Sequence, residues 1–108
     1  MTVKEIAKEC SFEELCIPNP DREVNGVYIG DLLSWVMGRA NADNAWITIM
    51  SNINVIAVAS LSDVACVILA EDVKLEEDVL NTAKLKGINV LKSSSSAYET
   101  ALMLNGKA

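Results

Sequence analysis

The chain has 108 residues, 51% hydrophobic and 22% charged, with nine Lys plus Arg against fifteen Asp plus Glu and a net charge of −6. That length suits a single domain spanning 1–108, since domains run to roughly 100–150 residues, and the aliphatic content is far above that of disordered segments. Histidine is absent, which removes the commonest general base, nucleophile partner and transition-metal ligand together and excludes a hydrolase with a His-centred site.

The basic residues are scattered and interrupted by acids. They form no patch of the kind that phosphate neutralisation requires, so neither nucleic acid nor an anionic membrane surface is an expected partner. The longest apolar runs, Val55 to Ala59 and Val64 to Ala70, fall far short of the roughly 20 residues that span a bilayer. The opening Met-Thr-Val-Lys-Glu has no signal-peptide core, and the chain reads as cytoplasmic.

In chain order, Thr2-Val-Lys-Glu5 has the spacing of a capping box ahead of a short amphipathic helix through Val3, Ile6 and Ala7. Ser11 to Ile17 suits a short strand that Pro18-Asn-Pro20 ends. Val24 to Ile29 has strand composition, and Gly30-Asp31 is expected to turn the chain and cap a helix over Leu32 to Arg39. Asn41 to Asn44 is a polar loop, and Ala45 to Met50 reads as a buried strand.

Asn52 to Leu61 mixes strand-favouring Val55, Ile56 and Val58 with alanines. A helix is the better reading, because two neighbouring parallel strands, 45–50 and 65–70, need a crossover between them. Glu76 to Lys86 carries Val79, Leu80, Ala83 and Leu85 at helical spacing, with acids in its first turn, lysines in its last and Gly87 as its stop. Ile88 to Leu91 follows as a strand. The serine run Ser93 to Ser96 then caps a last helix through Ala97, Ala101, Leu102 and Leu104. The alternation implies an α/β fold with helices on both faces of a sheet.

Three segments offer polar groups to a ligand. Gly30 permits close backbone approach, and the amides that open the next helix can hold an anion. Asp31 competes for those amides, and a turn with a cap and an Asp21–Arg22 ion pair at a bend is the simpler account. Ser51, Asn52 and Asn54 stand at a strand's carboxyl end, where α/β sheets place ligands, although capping explains them too. The serine run can cradle a phosphate or act only as a cap. Cys10, Cys16 and Cys66 lack metal-ligand spacing and read as reduced thiols filling apolar gaps, with Cys66 in the core and Cys10 and Cys16 free to lie near each other. No metal and no cofactor are expected.

Asp21-Arg22-x-Val24-x-Gly26-x-Tyr28-x-Gly30-Asp31-Leu32-Leu33-Ser34, continued by Ala45-Trp46-Ile47-Thr48, Asn54 to Leu61 and the Gly87-Ile88 turn, resembles the DRTGG domain over nearly the whole chain. The sequence departs from the family's name at Glu23-Val-Asn-Gly26. The resemblance implies a three-layer α/β/α sandwich with an about five-stranded, largely parallel sheet, similar to the N-terminal domain of HPr kinase/phosphorylase. It marks Asp21, Arg22, Gly26 and Tyr28 as motif residues and carries over no catalytic set. Kinase activity is not implied: no GxxxxGK[ST] occurs.

Tyr28, Ile29, Trp35 and Met37, with Trp46 nearby, supply aromatic and Met side chains of the kind enriched at interface centres; for Trp35 the core is an equal alternative. The resulting expectation is a non-catalytic regulatory or interaction module, homodimeric and serving a larger metabolic enzyme or system. The alternative is a sensor of a nucleotide or phosphorylated metabolite, bound near Gly30, Asp31, Ser51, Asn52 and Asn54.

Overall fold

Thr2 caps the first helix as its spacing predicts. In the computed structural model, which describes Met1–Ala108, its side chain accepts from the Glu5 N–H and the Glu5 carboxylate accepts from the Thr2 N–H. Helix α1 covers Val3–Glu9. The short strand β1 follows at Glu13–Cys16, then β2 at Val27–Ile29, α2 at Leu33–Arg39, β3 at Ala45–Thr48 and α3 at Ile53–Ser62. Strand β4 is Cys66–Leu69, α4 Glu77–Lys86, β5 Val90–Lys92 and α5 Ala97–Leu104.

The five strands lie in the order β1-β5-β4-β3-β2. Strands β2 to β5 are parallel, each beside the next in sequence, and only β1 runs antiparallel, against β5. Each β-α-β connection therefore steps the same way across the sheet. With the same hand at each step, α2, α3 and α4 fall on one face.

The core records this layering. Trp46, Val67, Leu69 and Val90 point to the face packed by Val36 of α2, Val55, Ile56, Val58 and Ala59 of α3, and Val79 and Ala83 of α4. The intervening Ala45, Ile47, Cys66, Ile68 and Leu91 point to the face covered by Val3, Ile6 and Ala7 of α1 and Leu104 of α5. Every residue of β3 and β4 is buried, and each large side chain so buried contributes roughly 1.5–3 kcal/mol.

Helices α3 and α4 end on left-handed residues, Asp63 and Gly87. Ser96 and Glu99 form a second capping box at α5. Two positions differ from the sequence reading. Leu85 is 89% exposed, so α4 packs through Val79 and Ala83, with half-buried Leu80 against the same core. In α5 the buried residues are Thr100 and Leu104, while Leu102 faces outward.

Candidate functional site

Of the motif residues, Arg22 and Gly26 lie at the amino end of the sheet and serve the fold. Arg22 does not pair with Asp21, which stays exposed. Its guanidinium instead donates to Asp43 Oδ1 at 2.8 and 3.1 Å and to the Asp63 carbonyl at 2.6 Å, and lies 2.9 Å from the Asp63 carboxylate. Burial opposes its charge, but the bonds to Asp43 and Asp63 outweigh that cost and hold the group above its ordinary range. The Arg22 fork suits this dual role because its donors are planar and rigidly spaced. Both aspartates have positive φ, 68° and 55°, so Arg22 pins two strained loops together, the α2–β3 turn and the α3–β4 turn.

Gly26 (φ 87°) belongs to the same end. A Cβ there would lie 2.9 Å from Asn44 Nδ2, the group that donates to the Asn25 carbonyl. Asn44 Oδ1 also accepts from the Asn41 N–H. Asn89 staples the neighbouring strand: it donates to the Asn19 and Ala65 carbonyls and accepts from the Asn19 N–H. A shallow cleft of about 460 Å³ opens between Pro18 and Arg22, walled by that loop alone.

Gly30 and Asp31 sit at the opposite, carboxyl end, and their local roles are not those the sequence suggests. Leu32 occupies the cap position of α2 and no side chain caps that helix. The Asp31 carboxylate reaches across to the next strand, where Oδ1 accepts from the Thr48 hydroxyl at 2.8 Å and the Ile49 N–H at 2.9 Å. The Thr48 hydroxyl in turn accepts from the Met50 N–H at 3.1 Å. Gly30 has no left-handed φ; a Cβ there would lie 2.9 Å from the Tyr28 ring, so its small size seats that ring. The Gly30 carbonyl accepts from Trp46 Nε1 at 2.9 Å.

Asn52 caps α3, its side chain accepting from the Asn54 N–H at 2.9 Å. Ser51 is half-buried and Asn54 exposed. The structure thus brings Asp31 beside the strand end that leads into Ser51, Asn52 and Asn54. It leaves Asp21, Arg22 and Gly26 at the other end of the sheet. A winding that never reverses also lacks the crevice of a topological switch point, the usual ligand seat of open α/β sheets.

The serine run is mostly structural. Buried Ser93 accepts from the Thr100 hydroxyl at 2.8 Å and from the Ser95 N–H. The Ser93 and Ser95 carbonyls hold the Asp72 and Glu71 N–H groups of the β4–α4 turn. Cys10 and Cys16 belong to opposite faces of the sheet and are not neighbours. No group of three or more His, Cys, Asp or Glu is arranged to hold a metal, and no helix is long and apolar enough to cross a membrane.

Among the aromatic and Met candidates, Trp46 is corrected outright. It is fully buried, because β3 is a central strand covered on both faces, and it cannot line a surface. Trp35 is 52% exposed, with Arg39 stacked 3.7 Å from its ring. Met37 is also exposed, but lies roughly 200° around the helix from Trp35. Tyr28 is half-buried against the α2 face. Composition did not single out Val27, which with Ile29 lines an apolar groove of about 460 Å³ against Ala101 and Leu104 of α5. An apolar alternation only three residues long is too short to show which side of a strand stays open.

A family model described as the DRTGG domain matches residues 5–106. Among curated proteins none matches. Among solved structures, the fold is similar to the crystal structure of the CBS and DRTGG domains of the regulatory region of Clostridium perfringens pyrophosphatase, complexed with the activator diadenosine tetraphosphate. The TM-score is 0.75 at 13% identity, over 95% of this chain and 45% of that one. This chain thus spans less than half of that regulatory region, and at such identity the likeness is one of fold. The family match takes in all five strands and helices α2 to α5 completely, and by it the chain belongs to the DRTGG domain family.

Proposed function

We propose that this chain is a non-catalytic regulatory module of the cytoplasm, which self-associates as a homodimer and serves a larger metabolic enzyme or system. One observation carries this reading. The polar side chains that invite catalysis or ligand binding are largely bonded within the chain: Arg22 to two aspartates, Asp31 to Thr48 and Ile49, and Ser93 to Thr100. Exposed apolar side chains gather around β2 and α2, where Val27, Ile29, Leu32, Trp35 and Met37 reach the surface. The similarity to part of an enzyme's regulatory region supports the same reading. Sedimentation velocity over a wide concentration range tests it. A concentration-dependent dimer is expected, and a monomer at every concentration removes self-association.

A second reading is favoured by the nucleotide activator bound in the similar regulatory region. Here a nucleotide or phosphorylated metabolite would meet the Ser51 hydroxyl and the Asn54 amide beside Asp31, Asn52 being spent on its cap. Thermal-shift measurements with diadenosine tetraphosphate, mononucleotides and inorganic phosphate check this. A ligand at 100 times its dissociation constant adds roughly 2.7 kcal/mol, and no shift across that panel rejects the sensor.

A further inference from the structure

The two edges of the sheet are treated in opposite ways. Strand β1 carries the exposed carboxylates Glu13 and Glu14 and has an irregular register between Glu14 and Cys16, both devices that block edge pairing. Strand β2 has neither. Between Val24 and Gly38 the only charged side chain is Asp31, whose carboxylate is turned toward Thr48 and Ile49. For a molecule of net charge −6, this is the rim along which a second copy approaches with least repulsion.

The backbone of β2 is correctly set for such a meeting. The Gly26 carbonyl and the Gly30 N–H bond to β3, and by alternation along a strand the groups of Val27 and Ile29 point away from the sheet. Apolar side chains flank this edge on both faces. Val27 and Ile29, 37% and 50% exposed, lie on the α5 face. On the other face, a right-handed crossover puts Leu32 and Trp35, 58% and 52% exposed, on the flank of α2 nearest β2.

We infer that two copies of this chain join β2 to β2, antiparallel about a twofold axis perpendicular to the sheet, making one continuous ten-stranded sheet from two five-stranded ones. This deepens the self-association reading and rests on it. Val27 of one copy exchanges backbone hydrogen bonds with Ile29 of the other, and Tyr28 faces Tyr28 at the axis as a non-hydrogen-bonded pair. A standard interface buries about 800 Å² per partner, of which about 56–58% is apolar. Four large side chains about half exposed offer on the order of 400 Å², close to that apolar share. The interface is isologous and closed, and both sheets end on their guarded β1 edges.

Sedimentation of the full chain and two edge variants tests this. Ile29→Pro removes an outward N–H that takes no part in the β3 ladder, as proline on an edge strand can, and Ile29→Lys adds like charge. Each should raise the dimer dissociation constant at least tenfold with the circular dichroism spectrum unchanged, while Leu85→Lys on α4 leaves it as it was. A wild-type chain that stays monomeric overturns both the edge and the self-association reading. A dimer that survives both edge variants overturns the edge alone. Should either variant fail to fold, Tyr28→Cys in a Cys10→Ser background decides. Facing non-hydrogen-bonded residues have Cα atoms about 4.5 Å apart, within disulfide reach, so mild oxidation should give a covalent dimer. No covalent dimer overturns the edge.

Discussion

Arg22 and Asp63 are 41 residues apart in sequence, yet the guanidinium bonds the carbonyl of Asp63 at 2.6 Å and meets its carboxylate at 2.9 Å. Asp63 is the left-handed residue that ends α3, so a motif arginine fixes the exit of a helix two strands away. Because the same group also holds Asp43, its removal frees both loops together. Arg22→Ala is expected to destabilise the chain by about 2 kcal/mol, the scale of hydrogen bonds to charged groups. Arg22→Lys should recover only part of this, since an ammonium cannot reproduce the fork. Urea unfolding of the two variants measures both values.

The bond from Thr48 to Asp31 joins the ends of β2 and β3. Thr48 is buried, so Thr48→Val leaves the shape and deletes the hydroxyl. Asp31→Ala and Thr48→Val should each cost about 1–2 kcal/mol. The double variant should cost less than their sum by about 0.5–1 kcal/mol. Full additivity in denaturant melts would show that the two side chains act independently.

Gly26 and Gly38 should respond in opposite directions to the same substitution. Gly26 has φ 87° and a crowded Cβ position, whereas Gly38 lies in α2 with nothing within 4 Å of the place a methyl would take. Gly26→Ala should destabilise by more than about 1 kcal/mol, and Gly38→Ala should stabilise by about 0.4–1 kcal/mol. Thermal melts followed by circular dichroism give the two signs.

The thiols should show a graded reactivity. Burial pushes Cys66 up from 9.0 to about 12 and also raises Cys10 and Cys16, so all three resist ionisation in the fold. Cys10 is the most accessible of them and should be alkylated first, with Cys16 and Cys66 modified only on unfolding. The pH dependence follows from linkage. Between pH 9.0 and about 12 the unfolded chain has lost the Cys66 proton that the folded chain keeps, so stability falls as pH rises through that window, on the order of 1 kcal/mol per unit. Urea midpoints at pH 8 and above check the direction.

Much of the fold was legible because its signals are local. The Thr2–Glu5 and Ser96–Glu99 boxes and the Gly87 stop lie within a few residues of the ends they make. The α3 helix followed from the connectivity of parallel strands. The site was less legible because its partners are distant. Asp31 after Gly30 reads as a cap, but the buried Thr48 hydroxyl on the next strand offers a better use for the carboxylate. Arg22 beside Asp21 reads as an ion pair, while its partners arrive from residues 43 and 63. Trp46 lies in a strand buried on both faces, which has no alternation to mark its orientation.

The place of β1 beside β5 has a bearing on how the chain is made. On a ribosome, β2, β3 and β4 can pair as they emerge, each with the strand just finished. Strand β1 cannot settle then, for it has only β5 to join, and the core around α1 is completed only by Leu91 and Leu104 from the far end of the fold. The part of the domain that emerges first is therefore among the last to be placed. Until it is, one face of the nascent sheet stays bare, and in that interval chaperones or premature pairing with a sister chain would compete for it.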